Sequence, residues 1–245
     1  MDRAPIVWRL ATVTDIVAET AHAKTVVFEV AGMPAHVPGQ YVDVRLTAED
    51  GYQAQRSYSI ASAPAAGRLA LTVERIDAGE VSPYLTEELR RGDQIELRGP
   101  IGGPFTWSVA RGGPLLLAAG GSGIVPLMSM LRHRAALSST IATTLLVSSR
   151  GWDDILYREE LGLLGTTEGL AVHHTLTRSQ PRGWDGFSGR VDAPMLTAVG
   201  PAPGLAPLAF VCGPTPFVEH VADLLVALGH DPAAVRTERF GPTGG

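Results

Sequence analysis

Apolar residues along the chain change their period near its middle. In the first half they alternate with polar ones. Val26, Phe28 and Val30 fall on one face of "KTVVFEV", and Val42, Val44 and Leu46 on one face of "YVDVRL". Leu69, Leu71 and Val73 repeat the pattern, and Ile95 and Leu97 add to it. Alternation of period two, with Gly/Pro turns between the runs, predicts an antiparallel β-barrel or sandwich. One helical interruption is expected in "SPYLTEELRRG", with Ser82 as N-cap and Gly92 as the stop.

The second half alternates apolar strands with helical segments. "PLLLAA" is a continuous apolar run, as a strand buried on both faces requires. Helices are predicted in "IVPLMSMLRHRAAL", "DDILYREELGLL", "DAPMLTAV" and "TPFVEHVADLLVALG". The last sets Phe217, Val221, Leu224, Leu225 and Leu228 on one face. Strands are predicted in "ATTLLVSS", "LAVHHTLT", "PLAFVC" and "AAVRTERF". Repeated βα units predict a doubly wound parallel sheet. The boundary is placed near "SVARGG", giving domains at 1–110 and 111–245.

Composition narrows the classes of function. A 45% hydrophobic content supplies both cores, and a net charge of −5 with no basic run longer than "RHR" removes a general nucleic-acid footprint. No apolar run approaches the roughly 18 residues of a membrane span, and the N-terminus shows no leader, so a soluble cytoplasmic protein is expected. Cys212 is the one cysteine, too few for an internal disulfide or an iron–sulfur cluster. No metal site is expected: His173 and His174 are adjacent in a predicted strand and point to opposite faces.

Four stretches carry candidate chemistry. Gly120, Gly121 and Gly123 lie between a buried strand and a helix start, where unpaired N–H groups receive a phosphate; an ordinary tight βα turn has the same sequence. Arg150 ends one strand and Thr177 and Arg178 another, with Arg182 and Arg190 near. No acid stands there to bind a ribose 2′-hydroxyl, and the guanidiniums suit a 2′-phosphate, hence NADP; a solvated arginine surface is the alternative. Cys212, Gly213 and Pro214 mark a strand end at the ligand-binding edge of an α/β sheet, although a buried cysteine also serves as a small hydrophobe. In "RSYSIAS", Arg56 suits a phosphate, Tyr58 a flat ring and Ser59 a ring nitrogen, with Ser57 between them. That set suits a flavin, and a surface strand with a buried tyrosine would look alike.

Taken in order, "PGQYVDV", "RSYSIAS", "GEVSPYL", "RGDQIELRGPIGGPF", "GGSGIVP", "VCGP" and "ERFG" resemble the ferredoxin–NADP reductase superfamily across the whole chain. The resemblance implies an FAD-binding β-barrel followed by an NAD(P)-binding domain. It implies that Arg56, Ser57, Tyr58 and Ser59 hold FAD, with Val73, Glu74 and Arg75 beside the ring. Gly79, Val81 and Ser82 would hold the pyrophosphate. Gly121, Ser122 and Gly123 would lie beneath the nicotinamide nucleotide, and Thr177, Arg178 and Arg190 would read the 2′-phosphate. Ser59, Cys212 and Glu238 would be catalytic, with Cys212, Gly213, Pro214 and Phe240 by the rings. Val191 stands where plant-type members carry an adenine-stacking tyrosine, and "GPTGG" extends beyond Phe240 where their chain ends. The expected activity is hydride transfer from NADPH (or NADH) to FAD and single-electron delivery to a separate protein such as a ferredoxin. Direct reduction of a free flavin, quinone or ferric chelate is the alternative, and a flavin-binding regulatory module is the non-enzyme one. A monomer is expected.

Overall fold

A computed structural model describes residues 6–65 and 67–240. The "GPTGG" tail lies outside the described residues. Packing divides the chain into two units. One runs to Trp107 and takes in Met128–His133; the other holds Ser108–Leu127 and the chain from Arg134 on. No helix is long and apolar enough to cross a membrane among the described residues.

The first unit is a six-stranded antiparallel sheet. Its strands are β1 (Trp8–Thr20), β2 (Ala23–Val30), β3 (Tyr41–Thr47), β4 (Gln53–Ser59), β5 (Arg68–Glu74) and β6 (Gln94–Ile101), in the order β4-β3-β6-β1-β2-β5. The sheet curls, and an antiparallel bridge between Ile60 and Leu71 joins its two edges at one end, as in a barrel. The alternating residues turn inward as expected. Val26, Phe28, Val42, Val44, Leu71 and Leu97 are fully buried in one cluster. β1 is long enough to pair with β6 through its first residues and with β2 through the rest.

Between β5 and β6 the chain forms α1 (Val81–Pro83), which widens into a π-helical turn over Tyr84–Glu88. The expected N-cap is displaced. Glu80 occupies that position without a side-chain cap, and Ser82 lies inside the helix. The Ser82 hydroxyl instead accepts from the Ile76 N–H at 3.0 Å, tying the Gly79 loop to the helix. The helix therefore starts earlier than the capping pattern indicates, because the hydroxyl is used across the loop and not along the helix.

The second unit is a parallel sheet of β7 (Leu115–Gly120), β8 (Thr143–Ser149), β9 (Leu170–Leu176), β10 (Phe187–Ser188), β11 (Leu208–Pro214) and β12 (Val235–Phe240). The order is β10-β9-β8-β7-β11-β12, with every pairing parallel. The helices are α2 (Ile124–Ala136), α3 (Arg158–Leu164), α4 (Ala193–Val199) and α5 (Thr215–Ala227). Two predicted helices differ in detail. "DDILYREELGLL" breaks at Tyr157, whose φ of 56° is left-handed, so only Arg158–Leu164 is α-helical. α5 buries Val218, Val221 and Leu225, while Phe217, Leu224 and Leu228 pack at the margin of the cluster. The expected stripe therefore faces the core, with Val218 added to it.

Candidate functional site

In the first unit, β4 carries the "RSYS" motif. Its pairing with β3 sets Arg56 opposite Val44, Ser57 opposite Asp43 and Ser59 opposite Tyr41. The Arg56 guanidinium is exposed and, among the described residues, donates only to the Gln55 carbonyl, at 2.7 Å. Tyr58 is half-buried against the barrel core, and burial pushes its phenol up to about 12 against the opposing charge of Arg56. The ring therefore stays neutral. Ser59 is 5% exposed, and its Oγ has no hydrogen-bond partner. An orphaned buried hydroxyl costs roughly 1–3 kcal/mol, so Ser59 is a polar position left unsatisfied by the protein among the described residues.

The Ser57 hydroxyl has a different task. It donates to Asp43 Oδ1 at 2.7 Å, while Arg98 holds Oδ2 of the same carboxylate at 2.6 Å. Ser57 thus fixes β4 from within the motif, its hydroxyl committed to Asp43. Val73 is in the core at 1% exposure, so its backbone and not its side chain is what β5 presents. Glu74 is exposed, and Arg75 is paired with Asp77 and Glu87. Val81 and Ser82 are buried, and Gly79 sits against the Ser82 hydroxyl. The Tyr52 hydroxyl donates to Glu80 Oε1 at 2.9 Å, linking the start of β4 to the Gly79–Ser82 loop. Sequence reasoning missed Asp43 and Tyr52. A lone acid in an otherwise apolar strand was the available signal for Asp43; nothing local marked Tyr52.

In the second unit, the carboxyl ends of β7 and β11 meet almost without side chains. A Cβ on Gly123 would collide with the Cys212 carbonyl, and one on Gly120 would lie 2.8 Å from the Phe217 ring. Gly121 has a φ of 54° and open space around it, so the turn into α2 needs glycine there for its backbone alone. Ser122 is half-buried between them. Gly213 and Pro214 end β11, with Pro214 exposed.

Register places Cys212 beside Ala119 on β7 and Glu238 on β12. Cys212 is fully buried, and burial followed by the Glu238 charge pushes its thiol well up, so the thiolate is not the resting form. Burial likewise pushes the Glu238 carboxyl up to about 7, and its Oε2 has no hydrogen-bond partner. Phe240 ends β12 opposite Pro214.

The arginines gather at the ends of β8 and β9. The Arg178 N–H donates to the Arg150 carbonyl at 2.8 Å, and the Thr177 hydroxyl to the Ser149 carbonyl at 3.2 Å. Arg150, Arg178, Arg182 and Arg190 are exposed, and none forms an ion pair among the described residues. Val191 is 2% exposed and packs in the core cluster of this unit.

These residues fit the groups the sequence implied. The first unit offers a free guanidinium, a neutral ring and an unpartnered buried hydroxyl on one strand. The second offers a glycine-lined turn and unpaired arginines at one sheet edge. Replacing Ser59 by alanine removes the orphaned hydroxyl. The flavin-free protein is therefore expected to be equally stable or up to about 1 kcal/mol more stable, while reduction of bound flavin by NADPH slows. Urea midpoints and stopped-flow bleaching check the two halves; a destabilised flavin-free variant contradicts the first.

Comparison with known proteins agrees with this division. Residues 10–106 match the Oxidoreductase FAD-binding domain family, and residues 117–223 match the Oxidoreductase NAD-binding domain family. The chain is 34% identical to ferredoxin–NADP reductase B of Sorangium cellulosum, over 93% of this chain and 91% of that one. It is 32% identical to the glycine betaine monooxygenase reductase subunit of Pseudomonas aeruginosa over 84% of its own length, spanning about half (56%) of that protein. Among solved structures, the FAD/NAD-binding domain of nitric oxide dioxygenase from Vibrio cholerae superposes with a TM-score of 0.83 at 26% identity, covering 96% of this chain and 99% of that one. With its antiparallel FAD-binding unit, its parallel NAD-binding unit and this end-to-end match, the chain belongs to the ferredoxin–NADP reductase superfamily of oxidoreductases.

Proposed function

We propose that this chain takes a hydride from NADPH onto FAD and passes electrons singly to a separate redox protein such as a ferredoxin. Residues 1–110 would form the flavin domain and 111–245 the nicotinamide domain. The observation that carries the reading is the buried, unpartnered Ser59 Oγ at the end of the strand that also presents Arg56 and Tyr58. Bound FAD supplies a ring that accepts two electrons at once and releases them one at a time.

Each residue then has a physical task. Arg56 binds phosphate by charge-assisted hydrogen bonds, with Gly79, Val81 and Ser82 shaping the loop beside it. Tyr58 covers a face of the ring and stays neutral. Ser59 donates its hydroxyl to a ring nitrogen. Gly121, Ser122 and Gly123 let the nicotinamide nucleotide approach the backbone, and Gly213 and Pro214 border it. Cys212 packs by the nicotinamide as a neutral thiol, and Glu238 holds a proton on its carboxyl below about pH 7. Phe240 closes the edge beside Pro214. Thr177, Arg178 and Arg190 read the 2′-phosphate. The relatives, a ferredoxin–NADP reductase and a monooxygenase reductase subunit, support delivery to a protein acceptor. We place the protein in the cytoplasm as a monomer.

The test is anaerobic. The flavin released on denaturation should be FAD, NADPH should bleach the flavin-loaded protein, and a purified ferredoxin should then reoxidise it. Release of FMN alone, or a flavin that NADPH leaves oxidised, overturns the reading. Arg178→Ala should lower kcat/KM for NADPH roughly tenfold to hundredfold, the loss of one charge-assisted phosphate contact of ~1.5–3 kcal/mol. NADH should barely respond. Steady-state kinetics with both nucleotides decides it, and an equal fall for both removes Arg178 from the phosphate site.

A further inference from the structure

The adenine end of the nucleotide lacks an assigned partner. Val191, at the position of the adenine-stacking tyrosine of plant-type members, is enclosed in the core and offers no ring and no exposed surface. Two tryptophans in the same unit do. Trp152 follows β8 by three residues and is 38% exposed. Trp184, half-buried, stands in the segment before β10. Their rings meet edge to face, with centroids 5.7 Å apart and planes at 67°.

Both rings are held in place. The Trp184 indole N–H donates to the Phe187 carbonyl at 2.9 Å, and its ring lies so close over Gly186 that a Cβ there would collide with it. The Arg158 guanidinium sits 5.1 Å from the Trp152 ring centroid and donates to the Trp152 carbonyl at 3.2 Å. Ordered, partly exposed aromatic rings receive a flat ligand at low entropic cost.

The two rings line a cavity of about 700 Å³, within the usual range for small-molecule sites. Arg182, His174 and Phe187 also line it. His174 Nδ1 is buried without a hydrogen-bond partner, and burial, with the neighbouring His173, lowers the pKa of the imidazole and keeps it neutral. The outer edge of β9 is unpaired here, because β10 pairs only with Thr175 and Leu176 among the described residues. The cavity thus combines flat rings with open backbone groups along the edge of β9, which matches a nucleobase with donors and acceptors along its edge. The cluster of Arg150 and Arg178 adjoins in sequence: Trp152 lies two residues beyond Arg150, whose carbonyl is held by Arg178.

We infer that Trp152 and Trp184 form the receiving surface for the adenine ring of the nucleotide, in the cavity bounded by β9 and the segment before β10. The inference rests on the nicotinamide-dinucleotide reading above. It separates the two ends of the adenosine: the arginines grip the 2′-phosphate, and the tryptophans grip the base.

The experiment is calorimetric titration of the whole protein with 2′-AMP, which carries the base and the 2′-phosphate without the nicotinamide half. Stacking of one base contributes enough that truncation to alanine should weaken 2′-AMP roughly tenfold. Trp152→Ala is the main variant because its ring is exposed and removing it leaves the core intact. Trp152→Phe should restore most of the affinity. Nicotinamide mononucleotide, which has no purine, should bind the wild type and Trp152→Ala alike. Trp184→Phe keeps a ring and loses the bond to Phe187, so a smaller loss is expected there. If 2′-AMP binds the wild type in an Arg178-dependent way and Trp152→Ala and Trp184→Phe both bind it unchanged, the tryptophan surface is overturned while the dinucleotide reading stands. If the wild type binds no 2′-AMP, both fall.

Discussion

Gly123→Ala is expected to destabilise the second unit by about 3 kcal/mol or more and to weaken binding of nicotinamide mononucleotide. The new Cβ would run into the carbonyl oxygen and carbon of Cys212 and lie 2.6 Å from the Gly213 nitrogen. All three are backbone atoms of β11, so no side-chain rotation relieves the overlap. Overpacking of a well-filled interior usually costs ~1–3 kcal/mol, and this case is at or beyond the upper end because only the backbone can yield. Either the turn into α2 lifts off β11 or the end of β11 shifts, and both displace Cys212 and the glycine turn. Gly121→Ala is the matched control. Its φ of 54° carries strain of ~1–2 kcal/mol for an alanine, but its surroundings are open. Thermal melts of both variants separate collision from strain: a drop of about 6–12 °C is expected for Gly123→Ala, given ~2–4 °C per kcal/mol in a protein of this size. Equal drops for the two variants would show that the close approach to Cys212 is not what requires glycine at position 123.

Much of this arrangement is written in the pattern of apolar residues. The inward residues of the barrel are set by a period of two, and register errors there would expose Val26, Phe28 and Leu71 together, so the pattern is unambiguous. The parallel sheet is equally legible because β7 is apolar at every position. That Arg56, Ser57, Tyr58 and Ser59 share one strand was legible because they are neighbours in sequence. What failed depended on distant partners. Ser82 resembled an N-cap, yet its hydroxyl is used by Ile76 across the loop. Tyr157 interrupts a helical pattern through a left-handed backbone that no local residue announces. On α5 the expected stripe meets the core, and only packing reveals that Val218 joins it. The tryptophan pair was invisible for the same reason: Trp152 and Trp184 are thirty-two residues apart in the numbering, one after β8 and the other between β9 and β10, and only the fold brings their rings together.

Asp43 on β3 shows how a structural charge supports a candidate motif on the neighbouring strand β4. Its carboxylate is 5% exposed and accepts from Ser57 on β4 and from Arg98 on β6. A buried charge is tolerated only when it is paired and hydrogen-bonded, and here both conditions are met by neighbouring strands. The pairing holds Ser57, and with it the backbone between Arg56 and Tyr58, at a fixed height in the sheet. The Arg98 guanidinium also lies 4.8 Å from the Trp8 ring, as Arg45 does at 4.1 Å, so the outer layer of the barrel is ordered around the same residues. The polar side of β4 is therefore saturated at Ser57 and unsaturated at Ser59 among the described residues, the contrast on which the proposed flavin role of Ser59 rests.

Glu238→Gln is expected to remove a pH-dependent loss of stability of about 3 kcal/mol. Burial raises the Glu238 carboxyl from 4.5 to about 7 in the folded chain, and every tenfold gain in proton affinity corresponds to ~1.4 kcal/mol. The sign follows from which state holds the proton. Between pH 4.5 and 7 the folded carboxyl stays protonated while the unfolded one ionises, so the folded state binds more protons and stability falls as pH rises. The contribution is fully present below about pH 4.5 and is lost once pH passes 7. A glutamine fills nearly the same volume and does not titrate, so the variant should keep its stability across that window. Cys212, the neighbour on β11, does not confuse the comparison: burial and the Glu238 charge push its thiol above 9.0, so its own loss begins only at more alkaline pH. Carboxylates held low by partners, such as Glu96 beside Arg45, titrate alike in both proteins. Urea midpoints of wild type and Glu238→Gln at about pH 4.5 and about pH 8 measure the difference directly, with m-values confirming that the same unfolding is observed. Parallel pH dependence in the two proteins would mean that Glu238 ionises normally in the folded chain, and the proton assigned to its carboxyl near neutral pH would have to be withdrawn.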